Sequence, residues 1–159
     1  MQRFYYIYIK KPALGEPKLY KKSLNQPEFE NFYMPFNGKL SPGNRWIILA
    51  DQVPWTKIED IYCKKFAKSG MGAPAKSVRL ALGALLIKDR LGVSDEEAVN
   101  QIAENPYLQF FIGCYEYQDK APFDASMFVH FRKRFSEQEL MDINRMIIQH
   151  NQSNCDDLG

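Results

Sequence analysis

A chain of 159 residues with 45% hydrophobic content and a formal net charge of +2 can bury a sizeable core, but is too nearly neutral for its total charge to point to nucleic acid. Its three cysteines, Cys63, Cys114 and Cys155, are odd in number and lack C-x-x-C spacing, which argues against a disulfide framework or a zinc site and fits a reducing cytoplasm. The longest apolar stretch, Leu80 to Ile87, falls well short of the roughly 20 residues a membrane span needs, and the start M-Q-R-F-Y-Y-I-Y-I-K-K lacks the features of a secretory leader.

Along the chain, Phe4 to Ile9 is an aromatic, β-branched run that suits a short strand, followed by a basic, proline-punctuated segment to about Pro42. Residues 1–42 thus read as an irregular arm. Asn37-Gly38 and Ser41-Pro42-Gly43-Asn44 are turn chemistry, and helical signals begin at Pro54-Trp55. Thr56 to Glu59 fits a capping box opening a helix whose Ile58, Ile61, Tyr62 and Phe66 recur at helical spacing, ending near Ser69-Gly70.

From about Ala75 to Leu91 the pattern predicts a central core helix closed by Gly92. Gly83 inside it costs about 1 kcal/mol of helix propensity, which points to a second helix crossing closely there. Ser94-Asp95-Glu96-Glu97 caps a third helix with Ala98, Val99, Ile102 and Ala103 inward, stopped by Asn105-Pro106. Pro106 opens a short aromatic helix to Ile112, broken by Gly113. After a loop and a basic helix, Ser136 to Glu139 opens a last helix carrying Leu140, Ile143 and Ile147. The sequence predicts an all-α bundle of five or six helices over residues 43–150, with 151–159 a polar tail or linker.

Charge falls in blocks. Residues 57–90 hold eight Lys or Arg against three acids, residues 91–119 six acids and no base, and residues 120–135 four bases against Asp124. Such a mosaic suits a protein that meets a polyanion with one side, as well as an ordinary solvated surface. The basic helix, D-A-S-M-F-V-H-F-R-K-R-F from Asp124 to Phe135, is the most informative stretch. With Asp124 or Ser126 as N-cap, a wheel of about 100° per residue gathers Met127, Phe128, Phe131 and Phe135 on one side. Ser126, Val129, His130 and Lys133 face away, and Arg132 and Arg134 fall on the margins, their stems along apolar neighbours. The pattern suits a helix that docks on DNA through Ser126, His130, Arg132, Lys133 and Arg134. It equally suits an amphipathic helix with a solvated basic end.

Residues 35–135 also resemble a known family. Pro35-Phe36, Gly38-Lys39-Leu40, Asn44-Arg45-Trp46, Leu49-Ala50, Val53-Pro54-Trp55, Ala75-Lys76 and Val78-Arg79 come first. Ala81 to Ile87, Ser94 to Glu97, Glu104 to Gln109, Phe111-Ile112-Gly113, Pro122-Phe123-Asp124 and Phe131 to Phe135 follow in the same order. The order resembles the N-terminal domain of insertion-sequence transposases of the DDE class, the InsH-type group. The resemblance implies a helical region that recognises the terminal inverted repeats of a mobile element and precedes an RNase-H-like catalytic domain.

DDE chemistry requires three carboxylates gathered on a strand-rich scaffold around two divalent ions. In the family these lie downstream of the matched region, so no catalytic role is carried onto Asp156 or Asp157. Glu96, Glu97 and Glu104 read as capping and surface acids, and His130 and His150 lack the companions of a metal site. No catalytic residue, metal or cofactor is expected, and no membrane or small-molecule partner. The expected partner is DNA at element ends, bound in the cytoplasm without cleavage. A protein-interaction module that forms a homodimer or assembles with a full-length transposase, and an inert truncated relic, are the alternatives.

Overall fold

The computed structural model describes residues 20–23, 25–65 and 75–156. Among the described residues seven α-helices run in the order α1 Arg45–Gln52, α2 Trp55–Tyr62, α3 Val78–Leu91, α4 Asp95–Glu104, α5 Pro106–Phe111, α6 Met127–Arg134 and α7 Glu137–Asp156. The described β pairing consists of two isolated bridges, Tyr20 to Ala75 and Tyr33 to Glu116. The all-α expectation holds, with one helix more than the five or six foreseen. The extra helix is α1, which precedes Pro54-Trp55, where helical signals were expected to begin. Its signal is Asn44, whose side-chain oxygen accepts the Trp46 N–H at 2.9 Å and starts the helix directly out of the turn.

The middle of the chain forms as its local chemistry dictates. Ser77 caps α3, so the helix begins at Val78, three residues later than the expected start at Ala75, and Gly92 ends it at φ 65°, a left-handed conformation that favours glycine. Ser94 caps α4 by accepting the Glu97 N–H, and Asn105 caps α5 with Pro106 in its first turn. Ser136 and Glu139 form a complete capping box, each side chain accepting the other's backbone N–H, at 3.2 and 2.8 Å.

Three expectations fail. Pro54, not Thr56, precedes α2, so no capping box forms there; Glu59 is instead buried and serves another purpose. Ile61, read at helical spacing with Ile58 and Tyr62, does not share their burial and is exposed, because α2 is packed on one side only. The last helix runs on to Asp156 where a polar tail from residue 151 was expected. It is anchored by Asn151, which donates to the Ile147 and Gln52 carbonyls, while His150 lies against the Asp51 carbonyl; both side chains thereby serve the C-terminal end of α1. The expected strand at Phe4 to Ile9, Phe66, and the helix end near Ser69-Gly70 lie outside the described residues.

α3 is the axis of the core, with Val78, Ala81, Leu82, Ala84 and Ile87 fully buried. Gly83 meets the end of α5, where a Cβ would lie 3.2 Å from Ile112 Cγ2 and 3.3 Å from its Cα, so the close crossing foreseen at this glycine is present. Phe111 sits edge-on to both Trp46 and Trp55, with centroids 5.4 and 5.5 Å away, which locks α1, α2 and α5 together. Buried Gln109 bonds the Ile102 and Ala103 carbonyls at the end of α4, and both the N–H and carbonyl of Gln118, pinning the loop that leads to α6.

Residues 25–42 carry 3₁₀ turns at Phe29–Asn31 and Pro35–Asn37 and enter the same core through Phe32 and Leu40, with residues 20–23 before them. A polar node secures their first part. Buried Glu59 accepts the Tyr20 hydroxyl, the Ser23 N–H and the Gln26 amide at 2.6, 2.9 and 2.9 Å. Gln26 in turn accepts from Arg79. Arg79, only 4% exposed, donates to the Phe110 and Phe111 carbonyls and lies between the Trp55 and Phe110 rings. Burial pushes its pKa down to about 10. Gly113, at φ 94°, passes so close that a Cβ would stand 3.1 Å from Arg79 Cδ.

Candidate nucleic-acid interface

α6 is built from an aromatic side and an open side. Phe128 and Phe131 are wholly buried, and both meet Phe123 edge-on at 5.6 and 5.2 Å; Phe135, just past the helix, stacks on Tyr62 at 5.2 Å. The apolar stripe foreseen from the helical wheel is therefore the anchoring face. The start of the helix is an Asx turn, with Asp124 Oδ1 accepting the Ser126 N–H at 2.9 Å. Ser126 occupies the N-cap position but its side chain makes no capping bond. Hydrogen bonds from Ser126 hold the Asp124 carboxyl below the ordinary carboxylate range.

The five residues singled out for DNA contact divide into two groups. Arg132 is a structural tie: its guanidinium grips Asp95 at the start of α4 through two bonds, at 3.0 and 2.9 Å. Lys88 of α3 approaches the same carboxylate at 3.5 Å, so Asp95 links three helices. The hydrogen bonds from Arg132 hold Asp95 below the ordinary carboxylate range, and Arg132 itself is held more firmly protonated. Arg134 donates to the Lys76 carbonyl at 2.7 Å and lies over the Phe131 ring. Its charge also opposes the burial that pushes the Tyr62 hydroxyl up to about 12.

Ser126, His130 and Lys133 form the other group. All three are exposed and, with Val129, follow one another at helical spacing along the side opposite the phenylalanines. The bond from Arg134 also brings the backbone of Lys76 beside the C-terminal turn of α6. Sequence offered no sign of that, since the two residues are 58 positions apart. The α4 N-terminus, with Asp95, Glu96 and Glu97, keeps the flank beside Arg132 acidic. Among the described residues no three His, Cys, Asp or Glu side chains are grouped to hold a metal ion, and no helix is long and apolar enough to cross a membrane.

An all-helical body wrapped around α3, presenting one helix with a polar and basic outer side, is the architecture defined by these contacts. The chain belongs to the family described as Transposase domain (DUF772), whose model matches residues 34–134. It is also 33% identical over 110 residues to a Rhizobium meliloti protein described as "Uncharacterized protein ORF8 in nfe locus". That match covers 69% of this chain and 52% of the relative, so the chain spans about half the length of the relative it matches. No solved structure gives a significant match.

Proposed function

We propose that this chain is a DNA-recognising portion of a transposase, and that it contacts the ends of a mobile element through the open side of α6. The observation that carries the reading is the exposed row Ser126, His130 and Lys133 on a helix whose opposite side is locked into the core by Phe128 and Phe131. A helix held this rigidly presents donors to phosphates and base edges with little further loss of conformational freedom on binding. Arg132 and Arg134 hold the helix at its angle, and Lys133 makes the phosphate contact. The reading assigns strand cleavage and joining to sequence outside this portion.

The test is a titration against fluorescent duplexes carrying candidate element ends at several salt concentrations. Lys133→Ala should weaken binding to all sequences alike and lower the log-log salt slope by roughly 1. Identical affinity and slope in the two proteins would remove Lys133 from the interface.

A second reading, an assembly surface toward another copy or a full-length transposase, is favoured by a separate feature. A groove of about 280 Å³ between α2 and α7 is lined by Ile58, Tyr62, Ile143 and Met146 and by exposed Ile61. Its test is the mass of the chain in solution with and without Ile61→Asp; a monomer throughout counts against it.

A further inference from the structure

The open side of α6 changes character along its length. Lys133 stands in the last turn, and the bond from Arg134 to the Lys76 carbonyl brings the segment carrying a second exposed lysine to that end. The first turn follows Asp124, an exposed carboxylate. A duplex laid on this side is drawn by its phosphates toward the Lys133 end and repelled near Asp124. That polarity leaves the first half of the helix, Ser126, Val129 and His130, facing base edges. Val129 is the one apolar side chain in the row and is 45% exposed, flanked one turn away by the hydroxyl of Ser126 and by the ammonium of Lys133. Its β-branched methyls are held in a preferred rotamer by the helix, so it offers a rigid apolar contact between two polar ones. In the major groove the apolar base-edge feature is the C5-methyl of thymine.

We infer that Val129 reads a thymine, packing its methyl groups against the C5-methyl while Ser126 and His130 bond to neighbouring base edges and Lys133 holds a phosphate. This assignment rests on the reading of α6 as the DNA-contacting helix, and it adds an orientation: the N-terminal half of α6 lies toward the bases and its C-terminal turn toward the backbone. Val129 stands outside the packed core, so its replacement leaves the fold intact.

The test uses the full chain to enrich a duplex from a random-sequence pool. Each thymine of that duplex is then replaced in turn by deoxyuridine, which removes the C5-methyl and keeps every hydrogen-bonding group. At one or more positions wild type should lose about fourfold in affinity, the contribution of one buried methyl group. Val129→Ala, with an unchanged melting midpoint, should bind the thymine duplex more weakly and show no further loss with uracil at that position. Val129→Thr, which retains one methyl, should keep part of the sensitivity. Wild type indifferent to uracil everywhere, or Val129→Ala with the full uracil penalty, overturns the assignment to Val129. In that case a lowered salt slope for Lys133→Ala on the same duplex leaves the role of α6 standing. Failure to enrich any duplex at low salt overturns both.

Discussion

Arg79 of α3 and Lys133 of α6 meet opposite surroundings. Arg79 is enclosed between two aromatic rings, and its three described hydrogen bonds go to two carbonyls and a glutamine amide. On α6 the neighbouring residues Arg132, Lys133 and Arg134 alternate: a carboxylate takes the first, a carbonyl the third, and the middle side chain points to solvent. A cation whose stem reaches back over the core becomes part of the scaffold; one that points along the outward normal of the helix stays available. Counting bases along a helix therefore overstates its capacity to bind a polyanion, and the exposed row is what matters.

Breaking the buried end of this comparison should have the largest effect. Arg79→Ala uncovers the Phe110 and Phe111 carbonyls, strands Gln26 and leaves a void between the rings, and should cost about 3–5 kcal/mol in chemical denaturation. Arg79→Lys should recover little, since an ammonium cannot reproduce the planar fork. Stability within error of wild type would show that the site is dispensable to the core.

Next in size is the crossing beneath it. Gly83→Leu should destabilise by about 1–3 kcal/mol, because the space a side chain needs is filled by the backbone of Ile112. An unchanged melting midpoint would place α5 farther from α3 than described.

The paired end of α6 should show a smaller, pH-dependent effect. The folded-state pKa of Asp95 lies below its ordinary value of 3.8, so its contribution is fully present above that value and is lost as pH falls below it. Asp95→Asn should therefore cost about 1 kcal/mol near neutrality, after allowing for partial solvent screening. The gap to wild type should close toward acid pH, as the wild-type carboxylate itself becomes protonated. A gap independent of pH would mean that the substitution loses packing, not charge.

At the open end, Lys133→Ala should change stability by less than about 0.5 kcal/mol. It thus sharpens the contrast with Arg79: same charge, opposite cost. A large loss of stability would show that Lys133 has a structural partner after all.

How much of this was legible in the chain follows from how local each cause is. Caps and breaks act within a few residues, which is why Ser94, Pro106, Gly92 and Ser136 could be read directly. The phenylalanine stripe of α6 and the crossing at Gly83 were also readable, from helical periodicity and from the helix cost of glycine. Helix α1 was hidden by its position behind a cluster of turn residues, and its Asn44 cap looked like more of the turn. Glu59 misled because a carboxylate three residues after a threonine has the spacing of a capping box, and only its tertiary surroundings show it holding Tyr20, Ser23 and Gln26 instead.

For the candidate interface the division is sharper. Sequence by itself determined which side of α6 is outward, because helical geometry and the three phenylalanines leave Ser126, Val129, His130 and Lys133 a single direction to face. The tertiary structure alone decided which cations on its margins are engaged. Arg132 finds Asp95 across 37 positions and Arg134 finds the Lys76 carbonyl across 58, and no local pattern encodes a partner that far away. A long side chain at the edge of a buried stripe can turn toward solvent or toward a neighbouring element, and its choice depends on which acceptor the packing of the other helices places within reach.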